Sequence, residues 1–267
     1  MKTILITGST DGIGLAAAKL FIENKHKVII HGRNEEKLNR VKTALMTSNP
    51  EAVIDSIVAD LSDMNAVETM IKEIKASYEK IDVLVNNAGI YMARETVTPA
   101  GLELRFMVNT IAPYLLTRDL LGLMDGGGRV VNLSSAAQAP VQIEGIKKAT
   151  SISDSESYAQ SKLALTMWSF EMADSLKDRD NTPAIIAINP KSFLGSKMVH
   201  EAYGTKGYDI NIGADIIYRA AISEEFNHAS GKYFDNDSEQ FANPHPDALN
   251  PEKRRLLVKT LDEILSL

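Results

Sequence analysis

Seven short apolar runs, most of them rich in β-branched residues, recur along the chain. They are TILIT at 3–7, KVIIH at 27–31, VIDSIVA at 53–59, DVLVNN at 82–87, RVVNLSS at 129–135, AIIAINP at 184–190 and GKYFD at 231–235. Between them lie longer stretches with apolar residues three and four positions apart, among them LAAAKLFIEN, EEKLNRVKTALM and MNAVETMIKEIKASY. The first pattern predicts strands and the second amphipathic helices. Nearly uniform apolarity in the strands means that both faces are covered, which is the condition of a parallel sheet between two helical layers. No linker, repeat or low-complexity segment breaks the alternation, and DGGGR at 125–129 reads as a turn before the fifth strand. The expectation is a single doubly wound α/β domain over 1–267, with its ligand beyond the carboxyl ends of the strands.

Composition narrows the partners. A formal net charge of -6 argues against a general polyanion binder, because nucleic-acid affinity needs a basic face that releases counterions. EKRR at 252–255 reads as a solvated helix face. The chain has no cysteine, which removes disulfides and thiolate chemistry, and its five histidines are scattered, so no metal site is expected. No apolar run approaches the roughly 20 residues of a membrane span. Met1 leads within a few residues into the first predicted strand, with no room for a signal peptide, so a cytoplasmic location is expected.

TGSTDGIG at 7–14 joins the first strand to the first helix. Its glycines lack the usual dinucleotide spacing, but the context suits a pyrophosphate: a glycine turn admits the backbone closely, and a helix N-terminus offers unpaired N–H groups. An ordinary turn needs one glycine. Here Gly8 and Gly12 serve the turn and Gly14 the close packing of helix on strand, so Gly8, Ser9, Thr10, Asp11, Gly12, Ile13 and Gly14 form the candidate cradle. The second strand ends in Gly32 and Arg33, where NAD-binding folds usually carry a carboxylate for the ribose 2′-hydroxyl. A guanidinium suits a 2′-phosphate instead. NADP(H) is therefore the expected cofactor, with NAD(H) as the alternative. Asp60 and Leu61 after the third strand are placed against the adenine, and NNAG (Asn86–Gly89) ends the fourth strand at the crevice.

SYAQSK at 157–162 carries the chemistry. Tyr158 and Lys162 lie four apart on a predicted helix and project from one face. A free phenol titrates near 10. An ammonium about 4 Å away is worth roughly 4 kcal/mol at an effective dielectric of about 20, enough to bring the phenol into working range. Tyr158 could then exchange a proton with a carbonyl or alcohol oxygen while hydride moves at carbon. Ser135, at the end of the fifth strand, could hydrogen-bond the same oxygen.

With TGSTDGIG, NNAG, MVNTIAPYLL, VVNLSS and YAQSK in this order, the chain resembles a short-chain dehydrogenase/reductase over nearly its whole length. The resemblance implies a seven-stranded Rossmann-type sheet in the order 3-2-1-4-5-6-7 and a catalytic tetrad of Asn109, Ser135, Tyr158 and Lys162. It also implies that Lys162 holds the nicotinamide ribose and that Asn109 keeps a relay water. Asn87, Ala88, Gly89 and Pro190 join the cofactor contacts on the same ground. Ser135 is preferred to Ser134 because the second serine of this motif usually carries the role. Family members often dimerise through the Tyr158 helix and the one before it, so a homo-oligomer is consistent with the resemblance; Trp168 on that helix reads as core or subunit interface.

Two departures stand out. The stretch AAQAPVQIEGIKKATSISDSES between Ser135 and Tyr158 is longer than in compact members and resembles the retinol-dehydrogenase-like branch. There an insertion, here about 136–157, walls the substrate pocket and implies a bulky or lipophilic aldehyde, ketone or alcohol. In NPKSFLGSKM at 189–198, Lys191 stands where the family has glycine beside the nicotinamide. A lysine brings a Cβ penalty at positive φ and a long charged side chain. It either swings to solvent, crowds the nicotinamide or strengthens phosphate binding; the expectation is that fold and NADP(H) affinity survive while turnover is impaired. Residues 194–211, within a possible lid region of about 192–211, mix Met198, Val199 and Tyr203 with glycines, as either a substrate lid or core packing requires. The leading function is an NADP(H)-dependent carbonyl reductase or alcohol dehydrogenase. The alternatives are a 3-oxoacyl thioester reductase and a non-catalytic NADP(H)-binding regulator.

Overall fold

A computed structural model describes residues 1–147 and 152–266. All seven expected strands form: β1 (Thr3–Ile6), β2 (Lys27–Gly32), β3 (Ile54–Val58), β4 (Val83–Asn86), β5 (Arg129–Leu133), β6 (Ala184–Asn189) and β7 (Lys232–Asp235). They pair in parallel in the order 3-2-1-4-5-6-7. An eighth strand, β8 (Gln240–Ala242), extends the sheet antiparallel to β7 and was not foreseen. Its three residues are too few for a period-two pattern, and its register is set by the tight turn that precedes it.

Alternate residues of each strand serve opposite helical layers. Ile4 and Ile6 of β1 and Val28 and Ile30 of β2 pack with α1 (Gly12–Glu23), α2 (Glu35–Ser48) and α9 (Ile210–Ile222). Leu5 and Ile29 face the other way, into a core shared with α3 (Met64–Ser77), α5 (Ala112–Leu120), α7 (Asp154–Leu176) and α11 (Pro251–Leu265). That burial on both faces is why the strands read as apolar without a break. Trp168 is fully buried in this second core and packs edge-on against Tyr114.

Short helices complete the chain: α4 (Leu104–Phe106), α6 (Ile143–Lys147), α8 (Lys197–Tyr203) and α10 (Pro246–Leu249). The insertion after Ser135 carries α6, whose Ile146 is buried and whose Lys147 pairs with Glu263 of α11; residues 148–151 of that insertion lie outside the described residues. EKRR is not a uniformly solvated face. Arg254 is buried, bound to Glu171 at 3.2 Å and Asp174 at 2.5 Å on α7, because its helix packs directly on α7. Among the described residues no helix is long and apolar enough to cross a membrane.

Candidate active site

The chain leaves β1 through Gly8 (φ +63°) and Gly12 (φ +56°) and enters α1, whose N-cap Asp11 accepts from the Gly12 N–H at 2.8 Å. A Cβ on Gly14 would lie 2.5 Å from the Gly8 carbonyl oxygen, and one on Gly8 would lie 2.8 Å from the Ala88 Cα. The loop and the NNAG segment are thus pressed together, which only glycine permits. The Asn87 amide donates to the Thr7 and Gly8 carbonyls at 2.8 and 3.1 Å, and Thr7 Oγ1 accepts from the N–H groups of Asn87 and Ala88. Asn87 therefore spends its side-chain donor on shaping the cradle. Ile13 and Gly14, in the first turn of α1, keep N–H groups that no intrahelical carbonyl takes.

Ser9 departs from its expected role. It is fully buried; its hydroxyl donates to the Ile6 carbonyl at 3.0 Å and accepts from the His31 N–H at 2.8 Å, so it fixes the loop to β2 and presents nothing to a ligand. Leu61 likewise turns its side chain into the core. Asp60, partly exposed, accepts from Ser62 N–H and hydroxyl through one carboxylate oxygen. His31 was missed by sequence reasoning. Its Nδ1 accepts from Gly8 N–H at 3.0 Å and its Nε2 donates to the Ala59 carbonyl at 3.1 Å, an arrangement that requires the neutral ring. Burial holds its pKa down at about 4.

Arg33 follows β2 with its side chain exposed, and among the described residues it has no ion pair or side-chain hydrogen bond. Gly32 before it admits Thr10, whose Cγ2 would lie 2.6 Å from an added Cβ. Lys37, one turn along α2, pairs with Asp11 at 2.8 Å. Arg33 is thus a cation beside the cradle that internal pairing among the described residues leaves uncommitted.

Asn109 sits in a π turn, Met107–Ile111, between α4 and α5. Such bulges re-aim a side chain within a helix. Here Asn109 is buried, accepts from Ile90 N–H at 2.9 Å and donates to the Ile90 carbonyl and to Ser161 Oγ, both at 3.0 Å. It clamps the loop after β4 to α7. Ser134 is buried against Thr166 Oγ1 at 2.7 Å, whereas Ser135 is partly exposed, its hydroxyl accepting from Ala137 N–H at 3.1 Å on the side of Tyr158. The buried Lys162 donates to the Leu133 carbonyl at 2.7 Å, with its ammonium 5.6 Å from the Tyr158 ring centre. Asn109, Ser135, Tyr158 and Lys162 therefore converge beyond β4 and β5.

The electrostatics differ from expectation. Burial pushes the Tyr158 phenol up to about 12, only partly offset by the neighbouring Ser135 hydroxyl, while burial brings Lys162 down to about 8. The ammonium faces the ring and spends its hydrogen bond on a backbone carbonyl, so it does not lower the phenol into the neutral range.

Residues 2–206 match the family described as short chain dehydrogenase. The chain belongs to that family. It is 30% identical over 253 residues to short-chain dehydrogenase TIC 32 A, chloroplastic, of Brassica napus, covering 87% of this chain and 79% of that protein. It is 27% identical to mouse (Mus musculus) retinol dehydrogenase 13, covering 96% and 81%, in keeping with the retinol-dehydrogenase-like branch. A short-chain dehydrogenase structure from Escherichia coli CFT073, complexed with NADPH, superposes with a TM-score of 0.69 at 25% identity, covering 88% of this chain and 96% of that one. The family is one of oxidoreductases acting on small molecules, and the NADPH complex supports nicotinamide binding.

This short-chain dehydrogenase keeps glycine-like backbone at Lys191, with φ +115°. The turn is held from β7–β8: Asn236 donates to the Pro190 carbonyl at 3.1 Å, and Asp237 accepts from Ser192 N–H at 2.9 Å and from its hydroxyl at 2.5 Å. Strain at one residue persists because its neighbours are overdetermined. The lysine side chain extends to the Tyr208 ring, 5.8 Å from its centre. Beyond it, α8 has no buried residue, so core packing does not account for Met198, Val199 or Tyr203.

Tyr91, unmarked by any sequence motif, packs 4.9 Å from the Tyr158 ring centre. Buried Arg105 holds its loop, donating to the Tyr91 carbonyl at 2.7 Å while binding Glu103 and Asp154, the latter in the first turn of α7. A charge in the core gives no periodic signal, so only the folded structure shows this brace.

Proposed function

We propose that this short-chain dehydrogenase is an NADP(H)-dependent carbonyl reductase, and equally the reverse alcohol dehydrogenase, acting on hydrophobic aldehydes, ketones or alcohols. The observation that carries the reading is the convergence of Ser135, Tyr158 and Lys162 at the strand ends beside a glycine loop that packs too closely on the chain's own backbone to admit a Cβ at Gly8 or Gly14. The residues fit a dinucleotide. The N–H groups of Ile13 and Gly14 at the head of α1 suit its pyrophosphate, Arg33 a 2′-phosphate, Asp60 the adenine side, and Gly89, Lys162 and Pro190 the nicotinamide end. When bound, the reduced cofactor supplies hydride.

Ser135 and Tyr158 would hold the carbonyl oxygen between two hydroxyls. A phenol near 12 is fully protonated at neutral pH, which is the form that donates. Tyr158 gives its proton to the oxygen as negative charge develops there, with the Lys162 ammonium, 5.6 Å from the ring centre, as a positive charge beside the reacting groups. Asn109, by fixing Ile90 to α7, sets the wall of the site and leaves the acid on a rigid helix. The α8 segment is the candidate lid that excludes water.

The experiment is oxidation of NADPH, with NADH in parallel, across medium- and long-chain aldehydes, retinal-like and steroid ketones and a 3-oxoacyl thioester, with Tyr158→Phe as control. Turnover favouring NADPH and reduced about 10²- to 10⁴-fold in the control supports the reductase. Tight NADPH binding without turnover on any of them supports the regulator, a reading that Lys191 sustains by bringing a side chain to the family's glycine position.

A further inference from the structure

Four aromatic rings from three segments form a continuous run that begins at Tyr158. The Tyr91 ring centre lies 4.9 Å from that of Tyr158, Tyr203 lies 5.8 Å from Tyr91, and Phe193 lies 5.2 Å from Tyr203. Interplanar angles of 52°, 53° and 72° make these tilted or edge contacts, which satisfy the ring quadrupoles. Tyr203 and Phe193 are 53% and 49% exposed.

Single exposed aromatics are ordinary; a contiguous set starting at the proton donor is not. Phe193 adds a second observation. It holds φ +54°, a left-handed conformation costly for a bulky residue. The conformation is fixed by Tyr208 N–H donating to the Phe193 carbonyl at 2.7 Å and Gly195 N–H donating to the Tyr208 carbonyl at 2.8 Å. It is fixed also by Gly207, where an added Cβ would lie 2.4 Å from the Phe193 oxygen. A phenylalanine placed only to fill core would be buried without strain. This one is strained and left half exposed, against Tyr203.

Resting on the reductase reading, we infer that Tyr91, Phe193 and Tyr203 form an aromatic wall that favours carbonyls conjugated to a planar ring system over flexible aliphatic carbonyls of the same size. A rigid planar substrate gives up little rotamer freedom and offers edges and faces to the tilted rings, whereas an alkyl chain must be ordered. The wall is also uncharged at neutral pH: burial pushes the Tyr91 phenol up to about 12, and the Tyr203 hydroxyl donates to it at 3.4 Å.

The test compares kcat/KM with NADPH for acetonaphthone and methyl decyl ketone, each of twelve carbons, in the parent, Tyr203→Leu and Tyr203→Phe. Taking the ratio between variants cancels the intrinsic reactivity of the two ketones. The aryl-to-alkyl ratio is expected to fall by about fivefold or more in Tyr203→Leu and to be kept in Tyr203→Phe. An unchanged ratio in Tyr203→Leu overturns the inference. Should neither ketone turn over, the reductase reading fails for both, and equilibrium dialysis of the same ketones against protein with NADPH decides the wall. Tighter acetonaphthone binding that is lost in Tyr203→Leu sustains it; equal or absent binding overturns it.

Discussion

The Lys162 ammonium stands 5.6 Å from the centre of the Tyr158 ring but donates its hydrogen bond to the Leu133 carbonyl, 2.7 Å away. The two groups therefore titrate apart: the lysine near 8, lowered by burial, and the phenol near 12, raised by burial. Because kcat/KM reports the free enzyme, reduction is expected to fall about tenfold per pH unit above about 8, as Lys162 loses its charge while Tyr158 is still protonated. Lys162→Arg, whose guanidinium stays charged, should lose that limb from whatever rate it retains. A profile flat from pH 7 to 10 in the parent contradicts the assignment.

Arg33 is exposed and uncommitted, whereas Lys37 is held by Asp11. A charge-assisted hydrogen bond to a 2′-phosphate is worth about 1.5–3 kcal/mol. Arg33→Ala should thus raise KM for NADPH by about 10- to 100-fold and leave KM for NADH within about twofold. Equal effects on both cofactors would remove the basis for NADP(H) preference.

Lys191 at φ +115° carries a backbone cost that glycine does not. Offset by the extra chain entropy of glycine, Lys191→Gly should stabilise the protein by on the order of 1 kcal/mol, or roughly 2–4 °C in Tm. A rise in kcat is expected with it. A more stable variant with unchanged kcat would make the lysine a conformational cost without an effect on turnover.

His31 is neutral in the fold and titrates near 4 because it is buried, against about 6.5 in the unfolded chain. Its contribution is present in full above about 6.5. Between there and about 4 the unfolded state binds the extra proton, so lowering the pH removes stability, by on the order of 3 kcal/mol for this group. Urea unfolding of the parent and His31→Gln at pH 7 and pH 4.5 checks this: the parent's advantage should shrink at the lower pH.

On the outer side of α5 and α7 lies α11, with Arg254 bound to Glu171 and Asp174 and Asp262 accepting from the Tyr114 hydroxyl at 2.8 Å. The sequence resemblance put any subunit pairing on the Tyr158 helix, α7, and the helix before it. With the face covered from within, pairing through it is expected to be absent, and light scattering at micromolar protein should give the mass of one chain. A dimer that dissociates on Arg254→Ala would contradict this.

The alternation of apolar runs determined the parallel sheet and its helical layers, since a strand buried on both faces must be apolar throughout. The positions of Gly8, Gly14, Tyr158 and Lys162 were equally legible, because a close backbone approach demands glycine and a four-residue helical spacing puts two side chains on one face. Only the tertiary structure decided what each neighbour does. It turned Ser9 and Leu61 inward, set Ser134 against Thr166 and left Ser135 partly exposed. It joined His31 to Gly8, brought Tyr91 to Tyr158 and Tyr203 to Tyr91, and laid α11 over α7. These outcomes depend on contacts between residues far apart in the chain and on how much water each group loses. Local periodicity records which face of an element is buried; it does not record against what.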